Sequence, residues 1–371
     1  MKGMDLSKKY YFECVKPLIQ DNLPELEGKY AAALVGYGSD VIGNDDEISR
    51  DHEWGPRCHV FLSEEIHKRY GLQLDEILDN NIPLEFEGFP TRFTFAEHWG
   101  SIPSKDSSGY HHVVISTPQR FLKLTIGFPG VPGSDIDWLA VSEQRLLEFT
   151  SGEVFEDFPG ELTEFREKLA YFPDDVWRYR IAYSLSDIGC DDDLISLCGQ
   201  RGDIISMHLN AARTVEKIMR LVFLLNKQYA PLYPKWLHRN FVKLPEIASE
   251  IEKSLLTMLE AREYQPKMEA LKLIYERILT FMVNRDLCKK HSAIFQREFS
   301  GIDYDVRTSA KDVLSTIRGD LKELLVDGIP LGAIDQWMVN HDIIVSAEHM
   351  KSLLPVYKAE PLKREKLDRH I

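Results

Sequence analysis

The sequence predicts an α+β protein, in which a small mixed β-sheet domain with flanking helices is followed by an α-helical bundle. Short apolar runs bounded by turn residues are confined to the first half of the chain, and helical periodicity dominates from about residue 160. Of the 371 residues, 44% are apolar and 28% are charged, which is ordinary for a globular protein. We therefore expect two domains, at residues 1–155 and 156–371.

Periodicity and capping residues predict the elements of the first domain. Tyr11, Val15 and Leu18 share one helical face, which predicts a helix over residues 7–20. Ser63 followed by two glutamates predicts the N-terminus of a helix that runs to residue 79. The other expected elements are strands at 30–36, 57–62, 82–89 and 112–116, a loop at 98–110, a helix that stops at Gly127 and a linker or lid at 129–135.

The second domain is predicted to be helical almost throughout. Apolar residues recur there with a period near 3.6, which is typical of amphipathic helices that pack against one another. We expect such helices at residues 206–228, 246–260, 266–283 and 309–326. Together they predict a helical bundle.

Composition limits where the protein is expected to work. The N-terminus has no basic region followed by an apolar core, and no stretch approaches eighteen apolar residues, so we expect neither secretion nor a membrane span. The five cysteines are scattered and form no Cys-x-x-Cys pair, which favours reduced thiols over disulfides or a zinc site. These features favour a cytoplasmic protein without a membrane partner.

The net charge of −14 is spread unevenly, since residues 1–200 are strongly acidic and residues 201–300 are basic. An acidic half suits metal binding, and a basic segment suits a triphosphate or another polyanion, although helical surfaces often carry extra lysine. The chain has no run of Lys and Arg that resembles a nucleic-acid tail, and an acidic protein is a poor nonspecific DNA binder. A nucleic-acid partner is therefore not expected.

A Gly-Ser pair and two acids form the most informative motif. Gly38-Ser39 follows the apolar residues 31–35, and eleven residues separate Ser39 from Asp51. Asp51 and Glu53 stand at i and i+2, so on a strand their side chains would share one face. Two carboxylates can bind Mg²⁺ and leave positions for substrate phosphates, and a Gly-Ser turn offers a phosphate N–H groups and a hydroxyl. The motif therefore predicts nucleotide transfer from a nucleoside triphosphate.

At these residues the chain resembles the polymerase-β-type nucleotidyltransferases, whose signature joins a Gly-Gly or Gly-Ser pair to Asp-x-Asp/Glu about a dozen residues later. His52 stands where most members have an aliphatic residue. The string Asp-His-Glu-Trp-Gly-Pro-Arg at 51–57, however, looks like one bacterial branch known mainly as a domain of unknown function. The resemblance continues at residues 152–155, 171–177 and 223–226, and the layout is similar to that of kanamycin- and lincosamide-modifying nucleotidyltransferases.

The resemblance implies a transferase that moves an NMP, AMP or another, from an NTP such as ATP to a hydroxyl and releases pyrophosphate. The acceptor would be a small molecule or a protein side chain. Asp51 and Glu53 would hold Mg²⁺ or Mn²⁺, and Gly38 and Ser39 would cradle the β- and γ-phosphates. The resemblance leaves the acceptor, the preferred NTP and the oligomeric state open.

Charged residues around the motif have two interpretations each. Arg50 and Arg57 bracket the acids, and each either neutralises phosphate charge or forms a salt bridge that orders the carboxylates. Asp40, Asp45 and Asp46 either orient the serine hydroxyl or a metal, or serve as turn and cap residues.

Lys235 is the candidate for phosphate binding in the helical half. It lies in a turn interrupted by two prolines, between Tyr233 and Trp236. The lysine either reaches the triphosphate or lies on an ordinary loop. The two aromatic residues either stack on a base or pack in the core.

A third carboxylate commonly serves such enzymes as the base for the acceptor hydroxyl. Glu85 and Glu87 lie on the next alternating segment and are the candidates. The strand at 112–116 has no acid, so if it takes the third position the base is missing or comes from the helical half, where Asp203 is one option.

Two other functions remain possible on these residues. The missing third acid and the unusual His52 are also consistent with an inactive nucleotide-binding or antitoxin-like interaction module. Arg285 is followed by a polar residue and, six positions on, by His291, which resembles the ribonuclease motif of small helical domains often paired with nucleotidyltransferases. In that motif His acts as a base and Arg holds the phosphate. A helix that ends in basic residues explains the same pattern.

Overall fold

The computed structural model describes residues 1–96, 100–104, 109–290 and 306–358, and it confirms an α+β protein. The strands are β1 Tyr30–Leu34, β2 Cys58–Leu62, β3 Glu85–Phe86, β4 Phe89–Pro90, β5 Arg92–Ala96, β6 Gly100–Ser104, β7 Tyr110–His111, β8 Val113–Ser116, β9 Glu153–Asp157, β10 Leu325–Val326 and β11 Ile329–Pro330. The helices are α1 Gly3–Tyr10, α2 Lys16–Asn22, α3 Glu64–Asn81, α4 Pro118–Ile126, α5 Asp135–Trp138, α6 Glu143–Thr150, α7 Glu161–Lys168, α8 Asp174–Gln200, α9 Ile204–Leu225, α10 Pro234–Phe241, α11 Ala248–Glu260, α12 Tyr264–Asn284, α13 Val306–Ser315, α14 Ile334–Trp337, α15 His341–Ile344 and α16 Ala347–Ser352.

The described residues form two compact units. The first consists of Met1–Pro132, Val141–Tyr171 and Val345–Glu348. The second consists of Gly133–Ala140, Phe172–Ile344 and His349–Ile371, as far as the structure describes them. The boundary predicted between residues 155 and 156 stays a prediction.

A four-stranded mixed sheet in the order β8-β2-β1-β9 runs through the first unit. β1 pairs antiparallel with both β2 and β9, while β8 runs parallel to β2. Every residue of β1 and β2 is buried, so both faces of these central strands are covered. The strands predicted at 30–36, 57–62 and 112–116 are confirmed.

The alternation of side chains along β2 divides its residues between two apolar layers. On one face, helices α1 to α3 pack against Val60 and Leu62. On the other face, the rings of His59 and Phe61 lie 5.2 Å and 5.4 Å from the ring of Phe121 in α4. The sheet therefore places a histidine inside an apolar layer.

The helices predicted in the first unit are confirmed. A π-helical turn at Tyr11–Val15 joins α1 to α2, and Tyr11 and Val15 are fully buried, as the predicted helix face requires. Ser63 caps α3 by accepting the Ile66 N–H at 3.3 Å. The helix α4 ends before Gly127, whose φ of +85° is the left-handed conformation in which helices often terminate.

The strand predicted over 82–89 is wrong. Residues 85–90 form the tight hairpin β3–β4, because Glu87 and Gly88 have φ values of +51° and +81°. Two consecutive residues with positive φ make the turn that suits the twist of a two-stranded hairpin. The apolar alternation therefore spans a chain reversal.

The loop predicted over 98–110 and the helix predicted over 309–326 also need correction. Residues 100–104 form β6, an edge strand beside β5, and Pro103 is tolerated there because an edge position needs no N–H donor on its outer side. Helix α13 ends at Ser315, and the hairpin β10–β11 follows, with φ values of +52° at Asp327 and +81° at Gly328. This Asp-Gly pair is a strong hairpin signal.

The second unit is helical apart from that short hairpin, within the part that the structure describes. The long helix α8 packs against α9 and α13, and α11 packs against α12 and α9. Helices α9, α11 and α12 confirm those predicted at 206–228, 246–260 and 266–283.

The structure also describes the cysteines and the apolar character of the helices. All five cysteines are free, as expected for reduced thiols. Among the helices in the described ranges, none has the length and apolar character that crossing a membrane requires.

Candidate functional site

The residues after β1 form a turn in which one position, Gly38, has no room for a side chain. We call residues 36–40 the Gly-Ser turn. Gly38 has φ +145°, and a Cβ atom there would lie 2.1 Å from Arg57 Nη2 and 2.4 Å from Asp40 Oδ1. No side chain fits at that distance, so glycine at this position makes room for an ion pair.

That ion pair joins the Gly-Ser turn to residues 50–57, which we call the acid loop. Arg57 Nη2 donates to Asp40 Oδ1 at 2.5 Å, and Arg57 Nε donates to Asp40 Oδ2 at 3.3 Å. Arg57 Nη2 also donates to the carbonyl oxygen of Tyr37 at 3.0 Å. Both charged side chains are buried, with the arginine 4% and the aspartate 3% exposed. The salt bridge of Arg57 is thus made with Asp40, while Glu53 Oε2 lies 4.0 Å from Arg57 Nη1. The assignment of Arg57 to phosphate binding stays a prediction.

Ser39 is held inside the turn. Its hydroxyl donates to the carbonyl oxygen of Ser49, and its own carbonyl oxygen accepts the Asn44 N–H at 2.7 Å. The residue is 6% exposed. The assignment of Gly38 and Ser39 as phosphate ligands stays a prediction, since a phosphate would have to compete with Ser49 for the hydroxyl proton.

The two acids do not lie on a strand, which corrects the expectation from their spacing. Asp51 to Glu53 form bends, and β2 begins only at Cys58. Glu53 has φ +49° and Gly55 has φ +145°, conformations that a β-strand does not allow. The acid loop therefore approaches the sheet as an irregular segment, and the shared-face argument does not apply to it.

Each carboxylate contacts a different set of partners. Glu53 Oε1 accepts the Ser101 N–H at 2.8 Å, while Glu53 Oε2 lies 3.3 Å from His112 Nε2 and 4.0 Å from Arg57 Nη1. Its side chain is 16% exposed. Asp51 Oδ1 lies 3.1 Å from His52 Nδ1, and the Asp51 side chain is 46% exposed. Asp51 is thus the more accessible acid.

His52 also contacts a tyrosine of the Gly-Ser turn. The hydroxyl of Tyr37 and His52 Nε2 are 3.1 Å apart, and the two rings are stacked with centroids 5.9 Å apart. The chain of contacts Tyr37–His52–Asp51 was not anticipated from the sequence. Its only sequence signal was the histidine in a slot that is usually aliphatic.

His112 is a second residue that sequence reasoning missed. It directly precedes β8, the neighbour of β2, and its ring lies 4.4 Å from the ring of Phe93. Burial, followed by the nearby Arg57 guanidinium, lowers the pKa of His112 well below its usual value. A neutral imidazole therefore faces Glu53, and it can donate one N–H to that carboxylate.

The donor set suits a metal ion only in part. Within the described ranges, no group of three or more His, Cys, Asp or Glu side chains is placed to hold a metal ion. Mg²⁺ that arrives with a triphosphate needs only one or two carboxylates, because phosphates and water complete its octahedron. Asp51 can provide such a carboxylate, because its side chain is 46% exposed. Glu53 fits it less well, because Ser101 and His112 already engage its two oxygens.

The remaining residues of the loop between the motif halves make local contacts, and the roles of Arg50, Asp45 and Asp46 in binding phosphate or metal stay predictions. Arg50 donates to the carbonyl oxygen of Asp45, at 3.4 Å from Nε, and lies 4.6 Å from the ring of Trp54. Asp45 accepts hydrogen bonds from Gly3 N at 2.7 Å and from Trp54 Nε1 at 3.3 Å. Burial opposes ionisation of Asp45, but these bonds and the Lys2 ammonium together lower its pKa. Asp46 caps the 3₁₀ turn Glu47–Ser49.

The candidates for a third carboxylate lie on other elements. Glu85 and Glu87 belong to the hairpin β3–β4, outside the four-stranded sheet, and Glu87 Oε1 pairs with Lys9 Nζ at 2.7 Å. The two strands that pair with β2 are β1 and β8, and neither contains an acid. Asp203, in the second unit, caps α9 by accepting the Ser206 N–H at 3.0 Å.

The other helical candidates belong to the second unit as well. Lys235 lies in the first turn of α10, and its ammonium is 4.4 Å from the ring of Trp236. Arg285 Nη2 lies 3.1 Å from Glu246 Oε1. His291, the other half of the suggested ribonuclease pattern, lies outside the described residues.

The buried His59 predicts a dependence of stability on pH. Burial, followed by the nearby Arg57, lowers the pKa of His59 to about 3. Since the unfolded pKa is near 6.5, the unfolded chain binds the extra proton first, and stability falls as the pH drops below about 6.5. The loss attributable to His59 should reach about 2 kcal/mol at a pH of about 5. We expect His59→Phe to reduce the acid-induced loss by that amount, measured by urea unfolding across this range.

His67→Gln, on the partly exposed surface of α3, is the matched control and should leave the pH dependence as in the wild type. His112 should add a loss of the same sign, because its folded pKa is lowered too. Equal pH profiles for His59→Phe and the wild type would contradict the assignment.

Comparisons with known proteins found a family model that matches part of the chain and a weak structural likeness. A family model described as a domain of unknown function (DUF4037) matches residues 138–237, about a quarter of the chain. No curated protein matches. Among solved structures, the chain is similar to a nucleotidyltransferase-like protein from Exiguobacterium sibiricum 255-15, with 10% identity and a TM-score of 0.32 over 80% of this chain and 88% of that one. A likeness this weak carries no conclusion about this chain. The match at 138–237 does not include the Gly-Ser turn or the acid loop. Any role for those two segments has to be inferred from their own geometry.

Proposed function

We propose that this protein is a metal-dependent nucleotidyltransferase that moves an NMP, AMP in the first instance, from an NTP to a hydroxyl group. One observation carries the proposal: Arg57, the last residue of the acid loop, binds the Gly-Ser turn through Asp40 and the carbonyl oxygen of Tyr37. The two halves of the sequence motif, separated by eleven residues, are thereby held together within one unit. A phosphate-binding turn beside an accessible carboxylate is the minimum that such a transfer needs.

The residues have separate tasks in this proposal. The Gly-Ser turn binds the terminal phosphates through backbone N–H groups and the Ser39 hydroxyl. Asp51 provides the accessible carboxylate for Mg²⁺ or Mn²⁺, and Glu53 joins it by exchanging its contact with His112. When bound, the ion neutralises phosphate charge and lowers the pKa of an acceptor hydroxyl. Arg57 acts as a positioning residue, because its guanidinium is already committed to Asp40.

Asp51→Asn is expected to reduce NTP turnover about 100-fold or more while leaving the fold intact. Asparagine keeps the size of the side chain but removes the charge that a divalent ion requires. The measurement is pyrophosphate release from each of the four NTPs, with Mg²⁺ or Mn²⁺, in cell extract that supplies the acceptor. Circular dichroism would establish that the variant is folded.

Asp46→Asn is the matched control for this experiment. Asp46 lies in the same polar segment but accepts the Ser49 N–H as a cap, which asparagine can also do. Its turnover should stay within about twofold of wild type. Equal rates for wild type and Asp51→Asn would remove the catalytic assignment.

A second candidate function is nucleotide binding without catalysis. The neighbouring strand β8 offers no acid, and both oxygens of Glu53 are engaged by Ser101 and His112. This alternative expects NTP binding, detectable by calorimetry, with no pyrophosphate release in any extract. Metal-dependent release that Asp51→Asn abolishes would exclude it.

A further inference from the structure

A cavity of about 350 Å³ lies at the beginning of β1, within the first unit. Its apolar lining comes from Ile19 of α2, from Leu23 and from Phe158, and Tyr30 lines it as well. Tyr30 is the first residue of β1, whereas the Gly-Ser turn follows the last, Leu34, roughly 13 Å further along the strand. Cavities of about 300–1,000 Å³ are usual for small-molecule sites. This cavity is therefore a second candidate site, apart from the Gly-Ser turn.

A chain of hydrogen bonds beside the cavity fixes the direction in which the Tyr30 hydroxyl donates. Tyr11 Oη donates to Glu156 Oε2 at 2.5 Å, and Lys16 Nζ donates to the other oxygen of the same carboxylate. The hydroxyl oxygens of Tyr11 and Tyr30 are 3.0 Å apart. Because a tyrosine hydroxyl carries one hydrogen and Tyr11 gives its own to Glu156, Tyr30 is the donor in that contact. The Tyr30 oxygen keeps its capacity to accept a hydrogen bond from a ligand.

The charge around the cavity is negative. Lys16, the basic residue of its lining, is in an ion pair with Glu156. Glu27 also lines the cavity, and within the described residues it forms no ion pair with a Lys, Arg or His side chain. Burial raises the pKa of Tyr30, and the nearby charges of Glu156 and Glu27 add to that effect. The phenol therefore keeps its proton, and the local potential favours a cation.

Two aromatic rings add a further feature that suits a cation. The rings of Tyr30 and Phe158 form a T-shaped pair, with centroids 5.8 Å apart. Phe158 is 51% exposed, although it is a large apolar residue. The face of an aromatic ring carries partial negative charge and attracts an ammonium group. An acceptor oxygen, a carboxylate and an accessible aromatic ring are thus present at one cavity.

We propose that this cavity binds a small organic cation, namely a protonated amine that carries an apolar or aromatic group. The ammonium group donates to the Tyr30 oxygen and pairs with Glu27, while the apolar group packs against the apolar lining. No NTP takes part, so this binding does not depend on the proposed function. If the tyrosine hydrogen bonds served only to hold the helices on the sheet, the cavity would show no preference between a cation and an anion.

The test is isothermal titration calorimetry of the purified full-length chain with three probes that share a phenethyl group. The probes are the cation 2-phenylethylammonium, the neutral 2-phenylethanol and the anion 3-phenylpropanoate. We expect one cation to bind per chain, about tenfold more tightly than the alcohol, because a hydrogen bond to a charged group is stronger than one between neutral groups. The anion should not bind.

Two variants test the assigned contacts. Glu27→Gln should weaken binding of the cation about fivefold, as expected for a partly screened ion pair, and leave binding of the alcohol unchanged. Phe158→Leu should weaken binding of the cation by a similar factor, because leucine keeps the apolar contact but has no ring face. Glu25→Gln is the matched control: this exposed glutamate belongs to the neighbouring 3₁₀ turn Pro24–Leu26, does not line the cavity, and should bind all probes as the wild type does.

Several results would overturn the inference. Tighter binding of 3-phenylpropanoate than of the cation would mean that Lys16 is the group that recognises the ligand. Equal affinities for the three probes would mean that charge plays no part. Equal losses in Glu25→Gln and Glu27→Gln would reduce the effect to a general attraction by the acidic surface. Absence of binding by any probe at millimolar concentration would remove the site, and none of these results would affect the transferase tested at Asp51.

Discussion

Replacing Arg57 by methionine is expected to lower the free energy of unfolding of the first unit by about 3–5 kcal/mol. Asp40 is 3% exposed, and the variant removes its cationic partner. Asp40 Oδ1 then keeps the hydrogen bond that it accepts from the Val41 N–H at 2.9 Å. A carboxylate buried without a counter-charge costs far more than the pair contributed. Urea unfolding followed by hydrogen exchange of the β1 and β2 amides would measure the loss.

The double variant Asp40→Leu with Arg57→Met is the informative comparison. It removes both charges, so a large part of the lost stability should return. A loss below about 1 kcal/mol in Arg57→Met alone would mean that Asp40 is accessible to water, in contradiction to its burial.

Arg180→Met is expected to cost the second unit about 3–5 kcal/mol for the same physical reason. The guanidinium donates to Asp335 Oδ1 at 2.9 Å and to Oδ2 at 3.2 Å, and it lies 4.4 Å from the ring of Phe172. The side chains of the pair are 1% and 5% exposed, so removing the arginine leaves a buried carboxylate. Thermal unfolding with hydrogen exchange of the α8 amides would measure the loss.

Arg178→Met on the same helix is the matched control. Arg178 also pairs with an aspartate, Asp174 at 2.7 Å, but that aspartate is 58% exposed. Surface ion pairs are worth roughly 0–1 kcal/mol because water screens them. Equal losses in Arg178→Met and Arg180→Met would show that burial is not the cause.

Local signals in the sequence were sufficient for most elements of the fold. The cap at Ser63, the stop at Gly127 and the apolar periodicity of α9 depend on neighbouring residues, so they can be read from the chain directly. The wrong predictions, a strand over 82–89 and a helix over 309–326, had local causes as well. At Glu87-Gly88 and Asp327-Gly328, residues with positive φ reverse the chain inside patterns that otherwise continue.

The arrangement of the candidate site was harder to predict, because it depends on strand order. The sequence motif predicts Gly38, Asp51 and Glu53 as site residues, which stays a prediction, and it offers no reason to pair Arg57 with Asp40 instead of a phosphate. His112 reaches Glu53 only because β8 lies parallel to β2, with Cys58 opposite Val113. Contacts between residues fifty or more positions apart need the topology of the sheet, which periodicity does not supply.

The lack of room for a side chain at Gly38 affects how related sequences should be interpreted. A side chain there would displace the Arg57 guanidinium, so glycine would be retained by selection for a stable fold even in a relative that binds no nucleotide. Presence of the Gly-Ser pair is therefore weak evidence of catalysis in other proteins of this kind. Ser39→Ala, which removes a hydroxyl but leaves the Arg57–Asp40 pair in place, is the substitution that can separate binding from folding.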